Sequence, residues 1–366
     1  MSQWRYHNPV AVHFGTGVID QVAEQIGPRK WLLVTQAQAP FAPMRERLTA
    51  RTHAPLAIAD AIAPNPSLAM LQGLCNQLRP EANDIEVIVA LGGGSVMDTA
   101  KFLAAGHCDY MSVACYLDGL VKLSGKSLPI IAIPTTAGTG SELTKWATIW
   151  DPDQGRKLSL NRDDLYAEAA FIDPDLTASL PWALTLASGL DALSHALESI
   201  WNRNATPVTR GFAVTAAGDV LKALARLHVN LEDRDARCLL ARGAMGAGLA
   251  FSNTQTALAH NISYPITLKH GVAHGIAASF CLPEVMTAAI GVDVECDVAL
   301  RAVFGDLDSA AQALRRVLSD LGVAGTPQAY GIGEEEWRRI LADAFDGPRG
   351  RNFNGVPAKF PSEPIL

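Results

Sequence analysis

Four short runs in the first half of the chain, residues 10–14, 31–35, 87–90 and 130–133, are rich in apolar and β-branched side chains and alternate with longer, helix-like stretches. The last three are almost continuously apolar, the pattern of parallel strands covered by helices on both faces. The intervening segments are long enough for crossover helices, so the first half is expected to form a doubly wound α/β sheet. From about Pro181 the texture changes to Ala- and Leu-rich stretches, residues 183–201, 208–227 and 308–321, with few β-branched clusters. That half is expected to be all helical. Prolines at Asp173-Pro174 and Pro181 punctuate the change. The expected domains are therefore 1–178, α/β, and 179–366, helical. The last fifteen or so residues read as irregular, and no internal repeat is present.

A chain of 366 residues, 49% hydrophobic and 18% charged, has ample material for two cores and none of the composition of a disordered protein. A net charge of -7 and the lack of a long Lys/Arg cluster argue against a nucleic-acid partner. No apolar run reaches the roughly 20 residues that span a bilayer. The segment from Met1 to Asn8 lacks both the charged flank and the apolar core of a signal peptide. These readings predict a cytoplasmic enzyme without membrane attachment. The six cysteines form no Cys-x-x-Cys pair and are expected to be free, buried thiols.

Chemistry enters directly after the third run. Leu91-Gly92-Gly93-Gly94-Ser95-Val96-Met97-Asp98-Thr99-Ala100-Lys101 is a glycine-rich turn leading into a helix. Glycines there let the backbone approach a pyrophosphate, and the new helix directs its unpaired amides and positive dipole end at it. The turn lacks the Gly-Lys-Ser/Thr ending of a nucleotide-hydrolysing loop, which argues against phosphoryl transfer. After the next run stands Pro134-Thr135-Thr136-Ala137-Gly138-Thr139-Gly140-Ser141-Glu142. Both loops fall at the carboxyl ends of strands, where open α/β sheets bind dinucleotides.

In the helical half, Asp191 and His195 are four residues apart and share one helix face. His260, His270 and His274 follow within fifteen residues. A carboxylate with imidazoles and open positions suits a divalent first-row metal such as Fe(II) or Zn(II). Spacing alone leaves open which histidines bind.

Taken together, the chain resembles the iron-containing (group III) alcohol dehydrogenase family, relatives of dehydroquinate synthase and glycerol dehydrogenase. The likeness runs through Phe14-Gly15-x-Gly17, Pro64-Asn65-Pro66, the 92–101 and 134–142 loops, Ile172-Asp173-Pro174, the 189–198 segment, Asn204-Ala205-Thr206-Pro207, and His274-Gly275 before Leu282-Pro283. The resemblance implies a dehydroquinate synthase-like fold and a homodimer. It implies a metal held by Asp191, His195, His260 and His274, with His270 beside this set. It further implies NAD or NADP held by Asn65, Gly92, Gly93, Gly94, Ser95, Asp98, Thr136, Thr139 and Lys157. The activity implied is hydride transfer between NAD(P)H and a small aldehyde or ketone.

Two departures from the family pattern matter. Many NAD-preferring members carry an acid just after the second strand, where this chain has Gln36, which predicts tolerance of both cofactors. Some carry a further histidine where this chain has Tyr264, which leaves His270, Tyr264 and water as candidates for the proton relay. A dehydroquinate-synthase-like lyase is the rival enzyme class, but those enzymes use a Glu and two His. The stretches Trp4-Arg5-Tyr6-His7-Asn8-Pro9-Val10, residues 143–150, and Arg349-Gly350-Arg351-Asn352-Phe353 resemble the phosphonate-metabolism-associated branch. That likeness implies reduction of phosphonoacetaldehyde to 2-hydroxyethylphosphonate, with Lys145, Arg162 and Lys269 as suppliers of positive charge. The alternative is a short uncharged aldehyde or diol such as lactaldehyde or propanediol.

Overall fold

The computed structural model describes residues 3–360, and these fall into two compact units. One is built on a six-stranded parallel sheet in the order β1-β8-β5-β4-β2-β3. Its strands are β1 (Ala11–Phe14), β2 (Trp31–Val34), β3 (Ala57–Ala59), β4 (Val87–Gly92), β5 (Ile130–Pro134) and β8 (Ala169–Ile172). Side chains alternate between faces along each strand. Trp31, Leu33, Val87, Val89, Leu91, Ile131, Ile133 and Phe171 form one core with Val18, Ile19, Val22 and Ile26. The opposite set, including Leu32, Val34, Ile88, Ala90 and Ile130, is equally buried. Burial on both faces is why these runs read as continuously apolar, and each large aliphatic contributes roughly 2 kcal/mol of transfer free energy.

Between β5 and β8 the chain inserts a two-stranded antiparallel hairpin, β6 (Trp146–Asp151) with β7 (Arg156–Asn161), which the apolar runs did not predict. The short edge strand β3 and the inner strand β8 were also not expected.

The second unit is helical and contains the described residues from Leu180 onward together with the segment ending at His7 and the four residues Ala137–Gly140. At its centre is the Trp182–Ile200 helix, in which every residue from Gly189 to Ile200 is buried. It packs against the Pro207–Val229 and Arg234–Thr254 helices. Thr206 starts the former with a capping box closed by Thr209 and Pro207 at the first turn. The His274–Ser279 helix presses onto the central one so closely that a methyl at Gly275 would lie 1.8 Å from the Ala187 carbonyl oxygen and 2.9 Å from the Asp191 nitrogen. Only glycine permits that approach. Among the described residues no helix is long and apolar enough to cross a membrane. All six cysteines are free, but Cys115 and Cys238 are partly exposed rather than buried.

Candidate metal centre and cofactor loops

Asp191 and His195, one helical turn apart on the central helix, point the same way, and His260 at the start of the Leu258–His270 helix meets them. Asp191, His195 and His260 bring ligand atoms within 4.8 Å of one another, all three buried. Asp191 Oδ1 lies 3.4 Å from His260 Nε2, 3.8 Å from His195 Nε2 and 3.7 Å from His274 Nε2. His274 opens its helix and is the more exposed member. The His195 ring stacks between Phe251 at 4.0 Å and His260 at 4.6 Å. Asp191 Oδ1 and His260 Nε2 are buried and neither completes a hydrogen bond among the described residues. Such an arrangement is costly in a bare protein and matches the donor set of a divalent cation.

Glu198, seven residues beyond Asp191 and three beyond His195, occupies the same helix face with no solvent exposure. Its Oε2 accepts from His260 Nδ1 at 2.7 Å and from the Ala257 amide at 2.8 Å. Its Oε1 accepts from the Ala259 and His260 amides at 2.5 and 3.3 Å. The carboxylate thus fixes the ring and leaves Nε2 facing Asp191. Glu198 was not recognised as a site residue in the sequence, although its i+3 spacing from His195 was the available signal.

The electrostatics are strongly coupled. Burial would raise Asp191, but His195, His260 and His274 outweigh it and hold the carboxyl well below the usual range. Burial lowers His195 to about 4 against the pull of Asp191. Burial also acts to lower His260, yet Glu198 and Asp191 carry it up to about 10.

The two proton-relay candidates are placed differently. The Tyr264 ring is stacked on His274 with 6.1 Å between centroids, whereas His270 Nε2 sits 3.1 Å from Glu336 Oε1. His270 is therefore engaged by a carboxylate on another helix.

In the sheet unit, Gly92 pairs with Pro134 across β4 and β5, and the Thr135 amide donates to the Gly92 carbonyl at 3.0 Å. A methyl at Gly93 would lie 3.2 Å from Thr136, so the two glycine-rich loops abut. Gly94 and Ser95 open the Gly94–Gly106 helix, and Ser95 Oγ accepts from the Asn65 amide at 3.1 Å, with Asn65 at φ 59. Asp98 accepts from Ser141 Oγ at 2.8 Å and from the Thr148 amide at 3.0 Å, so its two oxygens already position the second loop and β6. Lys157 lies over the Trp150 ring at 5.9 Å, and Gln36 Nε2 donates to the Ile62 carbonyl at 3.3 Å. Thr139 falls in the four-residue segment that groups with the helical unit.

Residues 9–174 match the family described as iron-containing alcohol dehydrogenase, and residues 185–365 match the C-terminal part of the Fe-containing alcohol dehydrogenase family. Long-chain-alcohol dehydrogenase 1 of Geobacillus thermodenitrificans is 30% identical over 370 residues, covering 95% of this chain and 92% of that protein. Phosphonoacetaldehyde reductase of Streptomyces viridochromogenes is 35% identical over 245 residues, 63% of this chain and 62% of that one. The crystal structure of sulfoacetaldehyde reductase from Bifidobacterium kashiwanohense in complex with NAD+ superposes with a TM-score of 0.90 at 28% identity, covering 98% of this chain and 97% of that chain. The fold, the clustered Asp and His side chains, and these matches along nearly the whole length place the chain in the iron-containing alcohol dehydrogenase family.

Proposed function

We propose that this protein interconverts a small aldehyde and its alcohol by hydride transfer with a nicotinamide cofactor, at a divalent ion held by Asp191, His195, His260 and His274. The observation that carries the reading is the buried pair Asp191 Oδ1 and His260 Nε2, neither of which completes a hydrogen bond among the described residues, flanked by the other two imidazoles. When bound, the ion supplies Lewis-acid polarisation of a carbonyl and the nicotinamide supplies the hydride. Fe(II) is the preferred ion by family membership, and the same donors accommodate Zn(II).

The chain's own residues do the rest. Asp191 offsets part of the cation's charge, and Glu198 accepts the His260 Nδ1 proton, so that Nε2 is the nitrogen that gives up its proton and ligates when the ion binds. Phe251 covers the His195 ring and keeps water from that side. Tyr264 is the preferred proton relay, because its ring lies against His274 while His270 is bound to Glu336. Asn65, Gly92, Gly93, Gly94, Ser95, Thr136, Thr139 and Lys157 are assigned to the dinucleotide, with Asp98 acting through Ser141 and Thr148. NAD is supported by the sulfoacetaldehyde reductase complex. Gln36 removes the charge that would repel a 2′-phosphate without adding a cation to bind it, so NADH and NADPH are both accepted. A preference for NADH above roughly a hundredfold in kcat/KM, about 2.7 kcal/mol, contradicts this.

For the substrate we favour phosphonoacetaldehyde, supported by the Streptomyces relative. A short uncharged aldehyde is the second reading, favoured by one observation. Lys145 pairs with Asp163, Arg162 with Asp164, and Lys269 with Glu336, so these three cations are already neutralised. Assays of the metal-loaded enzyme with phosphonoacetaldehyde, propionaldehyde and lactaldehyde separate the two. The metal assignment is tested by elemental analysis of variants. His195→Ala and His274→Ala are expected to lose metal and His270→Ala to keep it, and equal loss in His270→Ala overturns the ligand set.

A further inference from the structure

We infer that Arg349, oriented by Gln255, grips the tetrahedral oxyanion of the substrate, a phosphonate or a sulfonate, beside the metal centre. The inference rests on the anionic-aldehyde reading above and supplies the cation that Lys145, Arg162 and Lys269 do not. Arg349 is half-buried, and one of its terminal nitrogens donates to Gln255 Oε1. Among the described residues no carboxylate lies within 4 Å of it, in contrast to the ion-paired Arg162. A guanidinium has five N–H donors in a planar fork, and its fit to two oxygens of a tetrahedral anion is bidentate.

Its placement is fixed from two directions. The Gln255 amide donates to the Phe251 carbonyl at 2.8 Å, and the Phe251 ring lies 4.0 Å from that of His195. On the other side, Asn261, next to His260, donates to the Ala344 carbonyl at 2.7 Å, and a methyl on Gly347 would lie 2.2 Å from the Asn261 side-chain nitrogen. Asn352 Nδ2 donates to the Thr256 carbonyl at 2.9 Å. The segment from Ala344 to Asn352 therefore lies along the linker that joins the residue stacked on His195 to His260 itself, and it carries Arg349 with it.

Gln255 adds an independent observation. It is a non-glycine residue at φ 63, ψ 175, a backbone conformation that strains any side chain. Glycine would relieve the strain, and the side chain present is the one that bonds Arg349. Strain of this kind persists where a side chain has a task, and here the task is to aim a guanidinium.

The test uses the metal-loaded enzyme and its Arg349→Ala, Arg349→Lys and Gln255→Gly variants, assayed with phosphonoacetaldehyde, sulfoacetaldehyde and propionaldehyde. Arg349→Ala is expected to lower kcat/KM for an anionic aldehyde about 10- to 100-fold, chiefly through KM, the loss typical of a charged hydrogen bond. Propionaldehyde turnover and metal content stay within about threefold. Arg349→Lys recovers part of the loss, and Gln255→Gly shows the same selectivity change in weaker form. Inhibition by phosphonoacetate, a probe that is not turned over, weakens in parallel. Which anion benefits more in the wild type identifies the phosphonate or the sulfonate as the source. If the wild type favours neither anion over propionaldehyde, the substrate reading and this inference both fall. If the wild type favours an anion and Arg349→Ala keeps that preference, or loses activity equally on all three aldehydes, Arg349 is not the recognition residue and the substrate reading survives. If Arg349→Ala does not fold, the ratios from Arg349→Lys and Gln255→Gly decide in the same way.

Discussion

A carboxylate sealed from solvent must satisfy both oxygens with protein donors, and Glu198 does so with one imidazole and three backbone amides. Replacing it with Gln turns one acceptor into a donor that faces donors. Glu198→Gln should therefore weaken metal binding about 10- to 100-fold, the usual effect of losing a carboxylate behind a ligating histidine. Chelator competition measures it, and unchanged affinity would show that the ring is held by packing alone. At this scale the sequence was most legible where side chains share a helix face. Asp191 and His195 declared themselves by their spacing, and the structure brings His260 and His274 to them across an intervening helix pair. Gln255 was illegible, because nothing in its neighbours signals a positive φ.

The Gly94–Gly106 helix is tied to the segment that follows β5 through one ammonium. Lys101 Nζ donates to the Ser141 carbonyl at 2.6 Å, Ser141 Oγ at 2.9 Å, the Thr144 hydroxyl at 3.1 Å and the Trp146 carbonyl at 2.8 Å. Burial lowers this ammonium to about 8 although Asp98 and Glu142 oppose the shift, and burial raises Glu142 to about 7. Lys101→Met strands four acceptors and leaves two carboxylates without their cation. Removal of one partner from a buried charge set costs about 3–5 kcal/mol, so the calorimetric unfolding midpoint should fall by roughly 5–10 °C. A shift under 2 °C would refute the tie. Of the elements, β2, β4 and β5 were readable from their apolar runs, with ends misplaced by a residue or two, whereas the four-residue β8, although buried throughout, was not. The β6–β7 hairpin was not, because its alternation of Trp, Ala, Thr and Ile is short and polar-interrupted. At three residues, β3 is too short for any periodicity to register.

For the molecule as a whole, burial pushes Cys75, Cys108, Cys281 and Cys296 up to about 12 from 9.0. Unfolded thiols lose their protons first, so the thiol contribution to stability is constant below pH 9 and declines as pH rises from 9 through 12. The decline is on the order of 1 kcal/mol per pH unit for each thiol. Lys101 acts in the opposite sense between about 8 and 10.5, since the folded chain releases that proton more readily. Four thiols outweigh one ammonium, and the unfolding midpoint should fall between pH 9 and 11. Cys75→Ala with Cys108→Ala should flatten that decline by about half, and an unchanged slope would assign it to other groups. The two-texture organisation was legible because helices and doubly covered strands differ in composition over tens of residues. The assignment of Ala137–Gly140 to the helical unit was not, since four small residues in a loop carry no such texture. A methyl at Gly138 would lie 2.5 Å from the Ser188 carbonyl oxygen, three residues ahead of Asp191. The chain consequently passes from one unit to the other four times, after His7, Thr136, Gly140 and Ser179. Neither unit is a contiguous cassette, and a chimera that joins this chain to a relative at Ser179 inherits a helical half whose N-terminal strap and Gly138 wedge come from a different ancestor. Exchange between members of the family is expected to succeed only when those two short pieces travel with the helices they pack against.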